Sequence, residues 1–350
     1  MKLHRYELTP QMKQYDDFDN RGHTRYLPYL MYFNHTDYRS DVLNTDRYGF
    51  RFSHGPDGVR AAVDSEVAQG PVRLFVGSSV ALGIGATSDA TTIPSYLWTR
   101  YAPSAPWLNF SGRSFNSVQE LILMLLHHHL LPRVEEIVIL SGVNNLLLSR
   151  LPEWQHGDHG AFFYCNEYYE LMEQLRTRHR RPGRRLWGRA ARSQQPAPRA
   201  AAPAGAAVPD LDRLISHATA LTERHVDGWR RLTAATGARI SYVLTPLAPW
   251  IRQRPCAEEA LLFAELDRLS GFGVPLDEMF GEIATLDAGR QYAQALRGVC
   301  EKQDVRFLEI APLIADATAP DDWIFVDRGH FTDKGSDIFA RVLAERLALS

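Results

Sequence analysis

Residues 72–83, Val-Arg-Leu-Phe-Val-Gly-Ser-Ser-Val-Ala-Leu-Gly, give the clearest indication of the fold. The first six residues are a short apolar run that ends in glycine, which is typical of a buried parallel strand. Ser78 and Ser79 follow in what we expect to be a tight turn, and Ala90–Tyr101 is the next helix candidate. The stretch therefore predicts a strand that places Ser79 at its carboxyl end.

The same pattern of apolar strand and helix repeats along the rest of the chain. The further strand candidates are Trp107–Phe110, Glu136–Ser141, Ala238–Leu244 and Val305–Ile310. The further helix candidates are Asn116–Leu131 and an amphipathic closing segment, Thr332–Leu347. Strands that alternate with helices predict an α/β fold with a parallel sheet and right-handed crossovers.

Two regions depart from this pattern. Residues 1–70 are polar, aromatic-rich and weakly periodic, so we interpret them as an N-terminal extension and not as a separate domain. Residues 71–350 would then form one domain, which a large insertion at about 150–210 interrupts. Within the insertion, residues 176–209 are first basic and then rich in alanine and proline, which predicts a flexible, solvated loop.

Composition excludes several classes of protein. The 350 residues are 45% hydrophobic and 23% charged, as in an ordinary soluble enzyme, and the net charge of -2 indicates neither nucleic acid nor an anionic membrane as a partner. The three cysteines, Cys165, Cys256 and Cys300, match no zinc or disulfide spacing. No segment is typical of a signal peptide or a membrane span, so we expect a cytoplasmic protein.

Four short motifs follow candidate strands, at the edge where ligands bind in an open α/β sheet. They are Phe75–Gly83, Asn109–Ser117, Leu140–Asn145 and Val326–Thr332. In the last motif Asp327 precedes His330 by three residues. A carboxylate at this spacing can bond to Nδ1 of the histidine, which fixes the tautomer and leaves Nε2 free to accept a proton.

Ser79 has two possible roles at the end of the first strand. As a nucleophile, it would lie beside helix N–H groups that can stabilise a developing negative charge. Alternatively, the turn Gly77–Gly85 could hold phosphate, as in a nucleotide-binding flavodoxin-like domain. The turn is not a P-loop, because no Gly-Lys-Ser/Thr follows it, and the second role would leave Asp327 and His330 unexplained.

With these four motifs in this order, the chain resembles the SGNH hydrolases, also called GDSL-type esterases. The resemblance covers about residues 71–147 and 322–350. It implies a flavodoxin-like three-layer sandwich with five parallel strands. The site residues that it implies are Ser79, His330 and Asp327 as a catalytic triad, with Ser79, Ser114 and Asn144 as oxyanion-hole donors.

Three positions depart from the family pattern. The usual Gly-Asp-Ser has Ser78 in place of the aspartate, and Asn145 stands where aspartate is common. The glycine that donates its N–H in the second motif falls on Ser114, with Gly112 as the alternative. A serine keeps this backbone donor, provided that the residue does not need a positive φ.

The resemblance implies a serine esterase or acyltransferase that acts on an ester or thioester through an acyl-enzyme. The substrate would be a small molecule or a carrier-bound acyl group, and the acceptor would be water, a hydroxyl or an amine. No cofactor or metal ion is implied, and the oligomeric state stays open. The alternative is a catalytically silent module of the same fold that binds carbohydrate or a carrier protein, which the three departures favour.

Other polar segments allow less specific interpretations. Consecutive residues on a helix point about 100° apart, so His127–His129 cannot chelate one ion from one face, and we expect an interface or surface role. We interpret the loop Trp154–Gly160 as a substrate-facing lid, with a metal site in its histidines as the alternative. Trp250 and Arg252 follow the strand Ala238–Leu244 and are candidates for lining the substrate pocket.

Overall fold

The protein is described by a computed structural model, which covers residues 4–19, 25–27, 29–65, 70–151, 156–163, 209–269 and 276–350. Its centre is a parallel sheet of five strands: β1 (Val72–Gly77), β2 (Trp107–Ser111), β3 (Val134–Ser141), β4 (Arg239–Leu244) and β5 (Arg306–Glu309). The spatial order is β2-β1-β3-β4-β5, which is the flavodoxin-like order. The predicted flavodoxin-like fold with five parallel strands is therefore confirmed.

Helices cover both faces of this sheet. In chain order, the α-helices of the described residues are α1 (His4–Leu8), α2 (Met12–Phe18), α3 (Ser79–Leu82), α4 (Ile93–Tyr96), α5 (Ser117–His127), α6 (Val143–Leu148), α7 (Leu211–Thr233), α8 (Ala248–Ile251), α9 (Ala257–Leu269), α10 (Leu276–Phe280), α11 (Leu286–Lys302), α12 (Ala311–Asp316) and α13 (Asp333–Leu347). The helices α5, α7 and α11 pack together on one face, and α4 and α13 pack together on the other. The result is the expected three-layer sandwich.

The register of the sheet brings the motif loops to one edge. Gly77, the last residue of β1, pairs with Ser111 of β2 and Leu140 of β3. The first three motifs therefore leave the sheet side by side. All six residues of β1 are buried, because helices cover both faces, and this explains why the strand is apolar in sequence apart from Arg73.

The residues before β1 pack beside the same edge. They form α1, α2 and two short antiparallel pairings, Arg25–Leu27 with Met31–Phe33 and Ser53–His54 with Arg60–Ala61. Apolar side chains of α2 share a buried cluster with Leu82 of α3 and with Val326. The boundary near residue 70 stays a prediction, and most of the predicted insertion lies outside the described residues.

One predicted helix differs from the observed structure. The segment Ala90–Tyr101 is divided into a 3-10 turn (Asp89–Thr91), α4 and a π turn (Leu97–Tyr101). Thr92 is extended, and Pro94 lies in the first turn of α4, where the missing proline N–H costs no helical hydrogen bond. Within the described ranges, no helix combines the length and apolar character that crossing a bilayer requires.

Candidate active site

Ser79 and His330 meet above the carboxyl end of β1, although 251 positions of sequence separate them. Ser79 Oγ lies 2.7 Å from Nε2 of His330, and Nδ1 of His330 lies 2.7 Å from Oδ2 of Asp327. The Asp327 carboxylate accepts a hydrogen bond from Nδ1–H of His330, so Nε2 is left to accept the proton of the serine hydroxyl. The structure thus brings together the three side chains that the motifs singled out.

Asp327 is fixed by its own turn. Its Oδ1 accepts the N–H groups of Gly329 and His330, each at 2.8 Å. Burial raises the pKa of Asp327. The charge of His330 and these hydrogen bonds lower it by more than burial raises it, so the pKa lies below its usual value. Burial lowers the pKa of His330, but Asp327 outweighs this effect and the pKa is raised. The imidazole is therefore a stronger base than a free histidine, as general-base chemistry requires.

Ser79 is the first residue of α3, and Gly77 allows the sharp turn that precedes it. A Cβ atom on Gly77 would collide with the carbonyl oxygen of Leu140 on β3, and the φ of 156° is one that side chains with a Cβ rarely adopt. The first N–H groups of a helix have no partner within the helix. The N–H of Ser79 can therefore donate to an oxyanion formed at its own side chain.

Ser114, the second predicted oxyanion donor, has a φ of 52°, in the left-handed region that favours glycine. The sequence analogy required a residue that does not need a positive φ, and Ser114 has one. This backbone conformation costs about 1 kcal/mol for a residue with a Cβ atom. Within the described part of the chain, the Ser114 N–H has no hydrogen-bond partner. The N–H of Gly112, the alternative donor, already bonds to the carbonyl of Gly77 at 3.2 Å. The structure therefore favours Ser114 over Gly112.

Asn144, the third predicted donor, lies in the first turn of α6. Its Nδ2 donates to the carbonyl oxygen of Phe115 at 2.7 Å. A carboxamide nitrogen carries two hydrogens, so one N–H remains for an oxyanion. Because Phe115 directly follows Ser114, one short segment both supplies a donor and orients the other.

Asn145, the residue after Asn144, joins α6 to α5 and α7 through a buried hydrogen-bond network. Its Oδ1 accepts the N–H of Ser117 at 3.1 Å, and its Nδ2 donates to Oγ of Ser117 at 2.7 Å and to Oγ1 of Thr222 at 3.0 Å. Ser117 Oγ lies 2.6 Å from Nδ1 of His225. Burial, with the charges of His159 and Arg224, lowers the pKa of His225 to about 4. This imidazole is therefore neutral, and its Nδ1 accepts a hydrogen bond from the Ser117 hydroxyl. An aspartate at 145 could not make both donations.

The other end of α3 is held by two side chains, Arg51 and Asn109, for which the sequence predicted no role. Arg51 donates to the carbonyl oxygens of Leu82 and Gly83, at 3.1 and 2.9 Å. Asn109 donates to the carbonyls of Ala81 and Leu82. A helix of four residues leaves all of these carbonyls without helical partners. Arg51 and Asn109 therefore fix the turn that begins with Ser79.

Trp250 and Arg252 lie in contacts within the protein. The Trp250 side chain is buried, and its Nε1 donates to the carbonyl of Ile283 at 2.7 Å. Arg252 forms a 2.7 Å ion pair with the buried carboxylate of Glu259. Among the hydrogen bonds of the described residues, none joins either side chain to Ser79 or His330. These contacts indicate packing and support functions, and a pocket-lining role for them stays a prediction.

The remaining histidines pack against other side chains. The His127 ring lies against Phe50 in an edge-to-face contact. The loop residues His156 and His159 stack on His217 and His225 of α7, with ring centroids 4.9 and 5.9 Å apart. Among the residues that the structure describes, no three His, Cys, Asp or Glu side chains are arranged to hold a metal ion. The loop thus contacts α7, and its role as a lid stays a prediction.

No protein-family model and no curated protein matches the chain. Solved structures with a similar chain path include a lipolytic protein of the G-D-S-L family from Veillonella parvula, with 8% identity over 80% of this chain and 99% of that one, and a TM-score of 0.43. An acetylxylan esterase from Geobacillus stearothermophilus has 13% identity over 82% and 98% of the two chains, with a TM-score of 0.41. The C-terminal catalytic domain of a peptidoglycan O-acetyltransferase from Streptococcus pneumoniae has 14% identity over 80% and 93%, with a TM-score of 0.35.

The fold and the site together define a class: an α/β protein of flavodoxin-like topology with a serine, a histidine and an aspartate in hydrogen-bonding sequence. A hydroxyl that can pass its proton to a basic imidazole is an activated nucleophile. The N–H groups of Ser79 and Ser114 and the second amide hydrogen of Asn144 stay the predicted donors for the tetrahedral oxyanion that such a nucleophile would form. The arrangement is suited to attack on a carbonyl carbon.

Proposed function

We propose that the protein is a serine esterase or acyltransferase that forms an acyl-enzyme on Ser79. The observation that carries this proposal is the continuous hydrogen-bonded sequence from Ser79 Oγ through His330 to Asp327, with 2.7 Å at each step. The substrate is an ester or thioester, either a small molecule or a carrier-bound acyl group. A cytoplasmic location stays a prediction.

The reaction begins when Oγ of Ser79 attacks the carbonyl carbon while Nε2 of His330 accepts its proton. Asp327 stabilises the imidazolium that forms. The tetrahedral oxyanion accepts hydrogen bonds from the N–H groups of Ser79 and Ser114 and from the second amide hydrogen of Asn144. Collapse of the intermediate breaks the bond to the leaving oxygen or sulfur, which takes the proton from His330. The acyl-enzyme is then resolved by water, a hydroxyl or an amine.

The oxyanion donors have a predictable weight in this mechanism. Loss of one preorganised donor typically lowers kcat by about 10²–10³-fold. We expect this loss for Asn144→Ala, and the bond between Asn144 and the Phe115 carbonyl supports it, because the amide is already held in one orientation. The backbone donors of Ser79 and Ser114 remain in such a variant, so the residual activity stays above that of Ser79→Ala.

The catalytically silent module is the second candidate, and the strained φ of Ser114 favours it, since this residue supplies one predicted donor. Labelling with a fluorophosphonate probe separates the two. The enzyme reacts at Ser79, and Ser79→Ala is neither labelled nor active on a panel of short and long acyl esters, while its melting temperature is unchanged. Silence of the wild-type protein towards the probe and every ester would overturn the proposal and favour the binding module.

A further inference from the structure

A carboxylate from the N-terminal extension lies at the rim of the candidate active site. Asp19 follows the last residue of α2, and it forms an ion pair with Arg113, the residue directly before the oxyanion donor Ser114. The proposed mechanism uses neither Asp19 nor Arg113. A charge so close to the reacting groups acts on whichever part of the substrate lies beside it.

The Arg113 side chain is held rigidly. It is only 5% exposed, and its guanidinium lies over the rings of Phe18 and Tyr32, at 5.0 and 5.8 Å from their centroids. Nη1 also donates to the carbonyl of Phe18 at 2.9 Å, and the Tyr32 hydroxyl donates to the carbonyl of Arg113 itself. A guanidinium fixed in this way places its partner carboxylate at a defined point instead of following it in solvent.

The Asp19 carboxylate stays accessible. Its side chain is 45% exposed, and a carboxylate has more acceptor positions than one ion pair uses. Its negative charge also acts on His330, since it raises the pKa of that imidazole, whereas the charge of Arg5 lowers it. The leaving group of an ester must lie near Nε2 of His330, which returns the proton to it. Phe18, which precedes Asp19, shares a buried cluster with Val326, which precedes Asp327, so Asp19 lies on the side of the site that carries the His330 loop, where the alcohol part of an ester leaves.

We propose that Asp19, positioned by Arg113, determines specificity by accepting a hydrogen bond from a hydroxyl or ammonium group on the alcohol part of the ester. A carboxylate or phosphate at the same place would be repelled, so anionic alcohol parts are disfavoured. This inference rests on the proposed function. It deepens that function by naming the chemistry of the group that leaves.

Matched substrates and one isosteric variant test the inference. 2-(Dimethylamino)ethyl acetate, whose protonated tertiary amine carries one N–H, is compared with 3-methylbutyl acetate, its neutral isostere, and glycerol monoacetate is compared with propyl acetate. In the wild-type protein we expect kcat/KM to favour the donor-bearing member of at least one pair by about two- to fivefold, the range for a partly exposed charge. Asp19→Asn should lower that preference towards one. The pair that responds identifies the donor as ammonium or hydroxyl.

Asp17→Asn is the matched control. It removes the same charge from the same helix, but Asp17 contacts the Tyr38 hydroxyl at 3.4 Å and not Arg113. We expect the control to keep the wild-type preference. A measurement on the wild-type protein alone adds a second check: sodium chloride at 1 M shortens the Debye length to about 3 Å and should weaken the preference for 2-(dimethylamino)ethyl acetate if the ammonium pair responds.

The acid limb of the pH profile gives an independent readout. Burial lowers the pKa of His330, the charges of Asp327 and Asp19 raise it, and the charge of Arg5 lowers it. Removal of the Asp19 charge should move the acid limb of kcat/KM to lower pH, and Asp17→Asn should not move it. A structural loss of activity would lower the rate without moving the limb.

Failure of the Asp19 inference can be distinguished from failure of the proposed function. If the wild-type protein hydrolyses esters through Ser79 but shows no preference in either pair, or if Asp19→Asn keeps the preference, the inference is overturned and the proposed function stands. If no ester is turned over and Ser79 is not labelled, both are overturned.

Discussion

Arg51 and Asp89 form a buried ion pair with 2.7 Å between Nε and Oδ1. The same guanidinium bonds to the carbonyls of Leu82 and Gly83 and to the Tyr15 hydroxyl. A single helical turn is not stable by itself, because nucleation fixes several residues for one hydrogen bond. The pair therefore links the N-terminal extension to the turn that begins with the proposed nucleophile.

Arg51→Lys should separate charge from geometry. A lysine ammonium keeps the charge but cannot reach Asp89 and the two carbonyls at once. We expect kcat to fall by about tenfold or more and stability to fall by about 3 kcal/mol, since one partner of a buried pair is left poorly matched. Initial rates on folded protein and chemical denaturation measure the two effects.

Arg47→Lys is the control for this variant. Arg47 pairs with Asp64 at 3.4 Å on the surface, where such pairs contribute less than about 1 kcal/mol. If the Arg51→Lys protein had the same kcat and stability as the Arg47→Lys protein, Arg51 would not position the turn that begins with Ser79.

The acid limb of kcat/KM should lie above pH 6.5, the ordinary value for histidine. His330 must be neutral to accept the serine proton, and Asp327 raises the pKa of the imidazole above that value. Asp327→Asn should move the limb to lower pH and reduce kcat by about 10⁴-fold. A limb at or below pH 6 in the wild-type protein would contradict the geometry.

The same pair contributes to stability in a defined pH window. The raised pKa of His330 gives stability that is present at low pH and lost as pH rises through the folded value. The lowered pKa of Asp327 gives stability that is present above its unfolded value and lost as pH falls through the folded one. Both contributions to stability are therefore present together only at pH values between the folded pKa of Asp327 and the folded pKa of His330.

The sheet could be predicted because burial leaves a direct record in the sequence. β1 and β3 are covered on both faces, so their sequences are mostly apolar, with Arg73 in β1 and Glu135 and Glu136 near the start of β3 as the charged exceptions, and the predicted segments agree with the observed strands. The helix predicted at Ala90–Tyr101 was wrong in detail, because Pro94 starts a new helix where apolar periodicity suggests one continuous element.

The site was only partly predictable. Asp327 and His330 are three residues apart, so their contact is a local property of one turn. Arg51 and Asp89 are separated by 38 positions, and a buried arginine looks the same in sequence as an exposed one. Asp19 and Arg113 are separated by 94 positions, and only the folded chain places this pair beside the site.

Ser114→Gly should stabilise the protein by about 0.5–1 kcal/mol. The φ of 52° is unfavourable for serine but not for glycine, although the greater freedom of glycine in the unfolded chain offsets part of the gain. Turnover should be retained, because the N–H donor remains. Ser114→Ala, which keeps a Cβ atom, is the control and should show no such gain in urea unfolding. Equal stability of the glycine and alanine variants would mean that the turn is not strained.

Glu120 is a fully buried carboxyl on α5. Its Oε1 accepts the Ser141 hydroxyl at 2.9 Å, immediately before the turn that carries Asn144. Oε2 has no partner among the described residues. Burial raises the pKa of Glu120 to about 8, so the group is uncharged at neutral pH.

Glu120→Gln should therefore change stability with a characteristic pH dependence. A carboxyl with a raised folded pKa contributes stability that is full at acid pH and lost as pH rises through about 8. Glutamine resembles the protonated acid and does not titrate. We expect the variant to match the wild-type protein near pH 5 and to exceed it by on the order of 3 kcal/mol at pH 9. Glu345→Gln, at an exposed surface pair on α13, should show no such trend. Denaturant unfolding across this range decides the question, because a constant difference at every pH would mean that Glu120 is charged throughout and that its burial has another cause.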